Sequence, residues 1–280
     1  MAIIHSTPVF TPAGDFVVAP SALPALWFLF RGDGLVVAEK AGLVQMLPAT
    51  TLDALELQPR RLHLLGSLSG LDCYAGELAA DAPLAGGLTS VNVRTLFGHI
   101  DDDVFGVAGT ALQVISWDRI HRYCGRCGAE TQRMMGERAK ICTACGLTNH
   151  PRISPAVIVA VIRDGKILLG RSGRYPNQRL FSVLAGYVEL GETLEQCVHR
   201  EVMEEVGVGI RELKYFGSQP WPYSGSLMVA FTAAWDAGEI SVDGDEILEA
   251  GWFGPSELPL VPGWGSVAGQ LIDWFRQTYE

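Results

Sequence analysis

The sequence has little positive charge and no apolar run long enough to cross a membrane. Its 280 residues include 21 Lys and Arg against 31 Asp and Glu, so the net charge is −10 and the pI is near 5.1. Such an acidic chain repels phosphate backbones at long range. This argues against a broad nucleic-acid-binding surface but not against a small phosphorylated ligand held through a metal ion. The most apolar early run, 22–30, contains Pro24 and stops at Arg31, well short of the roughly 20 residues that span a bilayer.

Targeting signals are also missing. Residues 1–5 lack the basic start and the apolar stretch of a secretory signal, and the last residues, 278–280, match no retention or anchoring signal. We therefore expect a soluble, cytoplasmic protein with no membrane partner. In a reducing compartment, clustered cysteines are expected to bind metal rather than to form disulfides.

Composition and patterning predict a globular α+β protein of about two domains, with 48% hydrophobic and 19% charged residues. Short apolar runs broken by Gly and Pro, such as 35–37 and 62–65, predict strands up to about residue 103, and apolar spacing predicts a connecting helix over 107–121. After Pro151, two apolar runs around an Asp-Gly turn predict a buried hairpin over 156–169. The remaining predicted elements are a helix over 193–206, strands near 213–216 and 227–235, and a closing helix over 267–279.

Four of the six cysteines form two closely spaced pairs. Cys124 and Cys127, then Cys142 and Cys145, place four thiolates in the paired-knuckle spacing that suits a tetrahedral Zn²⁺. Four sulfur ligands leave no open coordination position, so this zinc is predicted to be structural. The alternatives are two disulfides in a secreted protein and a nucleic-acid-binding ribbon. The intervening basic residues favour the ribbon and the absence of an aromatic base platform opposes it; these residues are Arg126, Arg133, Arg138 and Lys140.

A helix rich in carboxylates carries most of the functional argument. Thr193 and Gln196 can form a capping box at its start, and Gly207 suits its end. At 3.6 residues per turn, Glu201 and Glu205 fall inside the apolar stripe of this helix, so they point toward the core rather than into solvent. Buried and mutually repelling carboxylates need a partner, and hard cations such as Mg²⁺ or Mn²⁺ are their natural partners. The helix therefore predicts a divalent-metal site.

The same stretch resembles the Nudix box, G-x5-E-x7-R-E-U-x-E-E-x-G-U, in which U is aliphatic. Every specified position is filled, namely by Gly186, Glu192, Arg200, Glu201, Val202, Glu204, Glu205, Gly207 and Val208. The resemblance implies an α/β/α sandwich that cleaves nucleoside diphosphates linked to another moiety. It implies that Glu201 and Glu205 bind the metal, that Glu204 binds directly or through water, and that Arg200 orients Glu192 as a charge-assisted pair.

Residues 218–226 read S-Q-P-W-P-Y-S-G-S. This segment is similar to the S-Q-P-W-P-F-P-x-S pattern of the NADH pyrophosphatase subfamily. Taken alone, this Pro-rich stretch with two rings is best explained as an ordinary edge with packed aromatics. In the context of the subfamily, it is predicted to bind substrate through Gln219, Pro220, Trp221, Pro222, Tyr223 and Ser226. The subfamily also implies three parts in a fixed order. They are an N-terminal Nudix-like domain (1–106), a connecting helix with a zinc ribbon (107–150), and a catalytic Nudix domain (151–280).

The resemblance implies roles for further residues, and this sequence departs from the family pattern in two places. Glu246 is expected to complete the metal site, with a solvated acidic turn as the alternative, while Ala185 and Ala268 act through backbone atoms on metal and substrate respectively. Tyr223-Ser224 replaces the Phe-Pro of the pattern, and His150 stands where an aromatic residue precedes Pro151-Arg152. Tyr223 keeps a ring for stacking, whereas Ser224 loosens the segment.

The expected activity is metal-dependent hydrolysis of NAD(H) to NMN(H) and AMP, with NAD-capped RNA 5′ ends as a further substrate and a homodimer as the assembly. The proposed catalytic residues are Glu192, Arg200, Glu204 and Glu205, and the base is either Glu205 or a loop glutamate. Three alternatives stay open: another substrate such as ADP-ribose, capped RNA as the main substrate, and a catalytically silent Nudix sensor. The complete box argues against the sensor.

Overall fold

The computed structural model describes residues 10–13, 24–40, 42–84, 86–174, 177 and 179–280. The described residues up to Arg152, together with Pro222–Ser224, form an N-terminal unit; Ile153–Trp221 and Gly225–Glu280 form a C-terminal unit. Residues 1–5 and the start of the apolar run 22–30 lie outside the described residues. Among the helices described, none combines the length and the apolar character needed to span a membrane.

The N-terminal unit is built on a mixed sheet with the order β1-β5-β6-β2-β3-β4, in which β7 also pairs with β3. Its strands are β1 (Phe10–Pro12), β2 (Leu26–Arg31), β3 (Gly34–Lys40), β4 (Leu43–Gln45), β5 (Arg61–Leu68), β6 (Leu71–Leu78) and β7 (Leu88–Asn92). Helix α1 (Asp102–Ile120) packs on this sheet through buried Val107, Ala111 and Ile115. It begins earlier than the predicted residue 107, because the Asp101 side chain accepts hydrogen bonds from the N–H groups of Asp103 and Val104 and caps it there.

Three short strands follow α1 and form a small separate sheet in the order β10-β9-β8. They are β8 (Thr131–Arg133), β9 (Lys140–Cys142) and β10 (Thr148–Asn149). A buried ionic group joins this sheet to the rest of the unit: Lys140 Nζ lies 2.8 Å and Arg61 Nη1 2.9 Å from the two carboxylate oxygens of Asp118. Burial alone would raise the pKa of Asp118, but hydrogen bonds from His63, Arg61 and Lys140 outweigh it and hold the pKa far below its usual range.

The C-terminal unit has a sheet with the order β14-β15-β11-β12-β16, in which β13 also pairs with β11. The strands are β11 (Ser154–Arg163), β12 (Lys166–Ser172), β13 (Leu184–Tyr187), β14 (Gly209–Trp221), β15 (Ser226–Ala237) and β16 (Ile247–Phe253). The predicted hairpin is confirmed as β11–β12. Asp164 and Gly165 both have positive φ at its turn, as a tight right-twisted hairpin requires.

Two helices cover opposite faces of this sheet. Val157, Val159 and Val161 of β11 pack with α2 (Leu194–Val206), while Ile158 and Ala160 pack with α3 (Val267–Tyr279). Because successive strand residues point to opposite faces, a strand covered on both sides is apolar throughout. The predicted α/β/α sandwich and both predicted helices are therefore confirmed.

Candidate active site

The four clustered cysteines are arranged to hold one metal ion. Their Sγ atoms lie within 4.8 Å of one another, with 3.6 Å between Cys124 and Cys145 and 3.4 Å between Cys127 and Cys142. Four sulfurs at the corners of a zinc tetrahedron are about 3.8 Å apart, whereas a disulfide needs about 2.05 Å. The donor set fits structural Zn²⁺.

The basic residues of the ribbon are mostly engaged within the N-terminal unit. Arg133 Nη1 donates to the Leu62 carbonyl oxygen at 2.8 Å, and Arg138 Nη2 donates to the Leu64 carbonyl oxygen at 2.9 Å. Lys140, 5% exposed, is paired with Asp118. These three side chains hold the ribbon against α1 and β5, so they do not form the nucleic-acid-binding face that was considered as an alternative.

Helix α2 carries the carboxylates, and both of its ends are fixed as the sequence predicts. The Thr193 hydroxyl accepts from Gln196 N–H and the Gln196 side chain accepts from Thr193 N–H, while Gly207 ends the helix with φ of 72°. The apolar stripe is buried as predicted, with Cys197, Val198, Val202 and Val206 fully inside the core. The register of the helix is therefore set from both ends and from one side.

Arg200 gathers three carboxylates at the surface of α2. Its Nε and Nη2 donate to the two oxygens of Glu192 at 2.8 and 2.9 Å, and Nη1 donates to Glu201 and Glu204, each at 2.9 Å. The fork between Arg200 and Glu192 is the predicted charge-assisted pair. Hydrogen bonds from Arg200, and then from the Glu189 backbone, lower the pKa of Glu192 to about 2. Glu192 is thus held ionised, with both oxygens occupied.

Glu201 lies directly against the backbone of β13. A Cβ added to Gly186 would fall 1.9 Å from the Glu201 Cδ and 2.0 and 2.2 Å from its two oxygens. Only glycine leaves room for a carboxylate at this point, which explains physically why the pattern requires Gly186. Gly186 directly follows Ala185 in the chain, so this contact places the Glu201 carboxylate next to that position. The carbonyl oxygen of Ala185 is predicted to bind the same metal.

Glu205 is the buried member of the carboxylate group. It is 5% exposed, and its Oε2 has no hydrogen-bond partner among the residues that the structure describes. Burial, reinforced by the negative charges of Glu201, Glu246 and Asp243, raises the pKa of Glu205 to about 8, and Arg174 opposes this rise. A buried carboxylate without a partner is costly unless a cation compensates it.

Glu246 is brought to this group by the turn before β16. Asp243 accepts hydrogen bonds from the N–H groups of Glu246 and Ile247 at 3.2 and 2.9 Å, and its own N–H donates to the Glu205 carbonyl oxygen at 3.2 Å. The acidic turn is therefore fixed to the end of α2. The charges of Glu201 and Glu246 both act on Glu205, whose Oε2 is orphaned, and a hard divalent cation is the natural partner of such carboxylate oxygens. Among the described residues, the cysteine group alone already places three or more ligand atoms within 4.8 Å of one another. Glu204, whose side chain is 61% exposed, lies at the outer edge of this group.

The segment predicted to bind substrate is divided between the two units. The strand predicted near 213–216 extends further than expected, because β14 continues to Trp221, which pairs with Ser226. Pro220 is tolerated because β14 is an edge strand with no neighbour on its other side within the described sheet. The Gln219 amide is occupied on both sides: it donates to the Gly265 carbonyl oxygen at 2.9 Å and accepts from Val267 N–H at 2.8 Å.

The remaining substrate-binding predictions fall into two groups. In the C-terminal unit, buried Ser226 shares a hydrogen bond of 3.1 Å with the Tyr187 hydroxyl, and Ala268 lies in the first turn of α3. In the N-terminal unit, Tyr223 lies under the Arg94 guanidinium, 4.4 Å from ring centroid to Cζ, and Pro222 lies so close to Gly109 that an added Cβ would be 2.8 Å from it. The substrate roles of these residues stay predictions.

His150, which replaces an aromatic residue, is exposed and lies 3.3 Å from Glu137. Sequence reasoning missed three other residues near the carboxylates or the substrate segment, namely Asp243, Arg174 and Tyr187. Only Tyr187 had a sequence signal, because it follows Gly186 directly and adds an aromatic ring beside the predicted metal site.

The sandwich, the capped carboxylate helix and the glycine-cradled Glu201 define the class as a Nudix hydrolase. Family models match in three successive segments: the NADH pyrophosphatase-like rudimentary NUDIX domain over 24–117, the NADH pyrophosphatase zinc ribbon domain over 119–148, and the NUDIX domain over 152–275. The chain belongs to the NADH pyrophosphatase (NudC) family of Nudix hydrolases. It is accordingly an enzyme that uses Mg²⁺ or Mn²⁺ for catalysis and carries a structural zinc site.

Relatives named NAD-capped RNA hydrolase NudC are similar to this chain over most of its length. The protein from Deinococcus radiodurans is 40% identical over 92% of this chain and 90% of its own. The one from Pseudomonas fluorescens is 40% identical over 92% of each chain. The one from Escherichia coli is 47% identical over 62% of this chain and 67% of its own.

Proposed function

We propose that this enzyme hydrolyses the pyrophosphate bond of NAD, both as free NAD(H), to give NMN(H) and AMP, and as the cap at RNA 5′ ends. The observation that carries the proposal is the carboxylate group of Glu201, Glu205 and Glu246, with its orphaned buried oxygen, in a chain of this family. Water supplies the oxygen of the new P–O bond, the bridging P–O bond breaks, and the attacking water loses a proton to a base. The family relatives named as NAD-capped RNA hydrolases support this choice of substrate.

The chain's own residues have separate tasks in this proposal. Glu201, Glu205, Glu246 and the Ala185 carbonyl oxygen would hold the divalent ion, which supplies charge neutralisation at the diphosphate and promotes ionisation of water. Arg200 positions Glu201 and Glu204 through its fork with Glu192. Because both Glu192 oxygens are occupied and its pKa is lowered, Glu192 is a poor base. Of the proposed catalytic glutamates, this leaves Glu204 and Glu205 to receive the proton.

The substrate segment is proposed to bind the dinucleotide in parts. Trp221 and Tyr223 offer rings for stacking, while Pro220, Pro222 and Ser226 shape the segment. Gln219 would act through the backbone it holds, because its amide bonds fix residues 265–267 and so place Ala268 at the start of α3. We also propose a homodimer and a cytoplasmic location.

The test is competition among substrates. Purified protein that retains zinc is incubated with Mg²⁺ or Mn²⁺ and equal concentrations of NADH, NAD⁺, ADP-ribose and NAD-capped RNA, and the products are resolved by chromatography. We expect NMN(H) or NMN-bearing products together with AMP or 5′-phosphorylated RNA. A preference for ADP-ribose would support Nudix hydrolysis but refute NAD as the preferred substrate. If none of the substrates is cleaved, the alternative of a catalytically silent Nudix sensor is favoured.

Matched variants assign the reaction to the carboxylate group. Glu205→Gln is expected to reduce kcat by at least about 100-fold, since it removes a carboxylate that is proposed to bind the metal. Glu195→Gln, on the exposed face of the same helix, should retain full activity. Comparing the pH profiles of Glu204→Gln and Glu205→Gln identifies the base, because only loss of the base removes the acidic limb of the profile.

A further inference from the structure

An arginine outside the Nudix box lies against the predicted metal site. Arg174 Nη2 donates to Glu246 Oε1 at 2.6 Å, and its positive charge also acts on Glu205. The sequence of the box gives no signal for Arg174, because it follows β12 and precedes the box by more than ten residues. It therefore places a cation among carboxylates that are proposed to bind another cation.

A neighbouring pair shows what an ordinary ion pair looks like on the same strands. Arg171 and Glu249 lie opposite each other in the register of β12 and β16, and Arg171 Nε is 3.1 Å from Glu249 Oε2. Their pairing follows from the register alone. Arg174 and Glu246 lie just beyond this register, since β12 ends at Ser172 and β16 begins at Ile247, and the Gly173 N–H donates to the Glu246 carbonyl oxygen at 3.3 Å beside them.

The Arg174–Glu246 pair is partly exposed to solvent. The two side chains are 72% and 43% exposed, and exposed pairs contribute little to stability. A divalent ion held by Glu246 would oppose the charge of Arg174 and would deprive the guanidinium of its partner. The long Arg174 side chain would then offer a planar set of donors that matches phosphate oxygens in pairs.

We propose that Arg174 is a diphosphate-binding residue: it pairs with Glu246 until the divalent metal occupies the carboxylate group, and it then contacts the diphosphate of the substrate. This inference rests on the proposed function for the identity of the substrate. Its chemistry requires only a diphosphate beside the metal. Arg174 thereby supplies a positive charge that the Nudix box, whose Arg200 is fully engaged with glutamates, does not provide.

Two binding measurements on zinc-retaining protein test the proposal apart from turnover. In the first, Mn²⁺ binding without substrate is followed by calorimetry; Arg174→Gln is expected to bind Mn²⁺ several-fold more tightly, because the competing cation is gone. In the second, inorganic pyrophosphate is the probe, with Ca²⁺ as the divalent ion. Arg174→Gln is expected to weaken pyrophosphate binding by about tenfold or more, the size typical of a hydrogen bond to a charged group. Arg174→Lys, which keeps the charge but not the fork, should restore part of that loss.

Arg171→Gln is the matched control, since it removes an arginine from an ion pair on the same strands and should change neither affinity. Tighter Mn²⁺ binding with unchanged pyrophosphate binding would overturn the proposal, leaving Arg174 as a counter-ion of Glu246 only. No change in either affinity would overturn it as well. If the wild type fails to cleave NAD but Arg174→Gln still binds pyrophosphate more weakly than the wild type, the assignment of NAD as substrate fails and the proposed role of Arg174 stands.

Discussion

Gly186→Ala adds a single methyl group and should impair catalysis while the protein remains folded. The new methyl group would lie 1.9 Å from the Glu201 Cδ, whereas ordinary contacts begin near 3.4 Å. The Glu201 carboxylate must therefore retreat by about 1.5 Å, far more than a Mg²⁺ site with oxygens at about 2.1 Å tolerates. Misplacement by about 1 Å costs on the order of 100-fold in rate, so we expect kcat/KM to fall by at least that factor and Mn²⁺ affinity to fall with it.

The fold should survive this substitution. Gly186 is a paired residue of β13, opposite Val157, and alanine adopts that extended backbone without strain. Overpacking typically costs about 1–3 kcal/mol, which a unit of this size can absorb. Steady-state kinetics, Mn²⁺ calorimetry and amide exchange of α2 form the assay. Gly209→Ala, whose new methyl group would meet its neighbours at an ordinary 3.7 Å, is the control. Normal Mn²⁺ affinity and turnover in Gly186→Ala would refute the assignment of Glu201 as a ligand held in place by this contact.

Three further predictions concern the supports of the fold and the site. Asp118→Asn should lower the free energy of unfolding of the N-terminal unit by roughly 3–5 kcal/mol at pH 7, measured by urea denaturation, since buried Lys140 loses its carboxylate counter-ion and keeps the hydrogen bond to the backbone carbonyl oxygen of residue 118. Because the folded-state pKa of Asp118 is lowered, that difference should persist above the ordinary value of about 4 and disappear as the pH falls further; a difference that does not change with pH would contradict it. Cys142→Ser should release zinc, seen with a colorimetric chelator, and unfold the ribbon in amide exchange, whereas Cys73→Ser should retain zinc. Asp243→Ala should weaken Mn²⁺ binding several-fold by freeing the turn that holds Glu246, and unchanged binding would refute that role.

The catalytic helix could be predicted from sequence because its determinants are local. The capping box at Thr193 and the end at Gly207 lie within α2 or beside it, and helical periodicity places Glu205 with Val202 and Val206 on the core side. The structure adds the degree of burial and the orphaned Oε2. The zinc site was predictable for the same reason, since its cysteine pairs are short-range.

The features that sequence reasoning missed depend on tertiary contacts. Arg174 meets Glu246 across 72 residues, and Tyr223 meets Arg94 although nothing in the pattern of either segment relates them. The sequence predicts a strand only near 213–216, whereas β14 continues through Pro220 to Trp221. Here the position of β14 at the edge of the sheet removes the need for its N–H group.

The central claim is that Glu201, Glu205, Glu246 and the Ala185 carbonyl oxygen hold the catalytic divalent ion. Anomalous scattering from crystals grown with Mn²⁺, recorded at the manganese and zinc edges, tests it most directly. We expect a manganese signal within about 2.5 Å of oxygens from all three glutamates and Ala185, and a separate zinc signal among the four ribbon cysteines. A manganese signal elsewhere, or carboxylates that remain without metal while the ribbon holds zinc, would contradict the account.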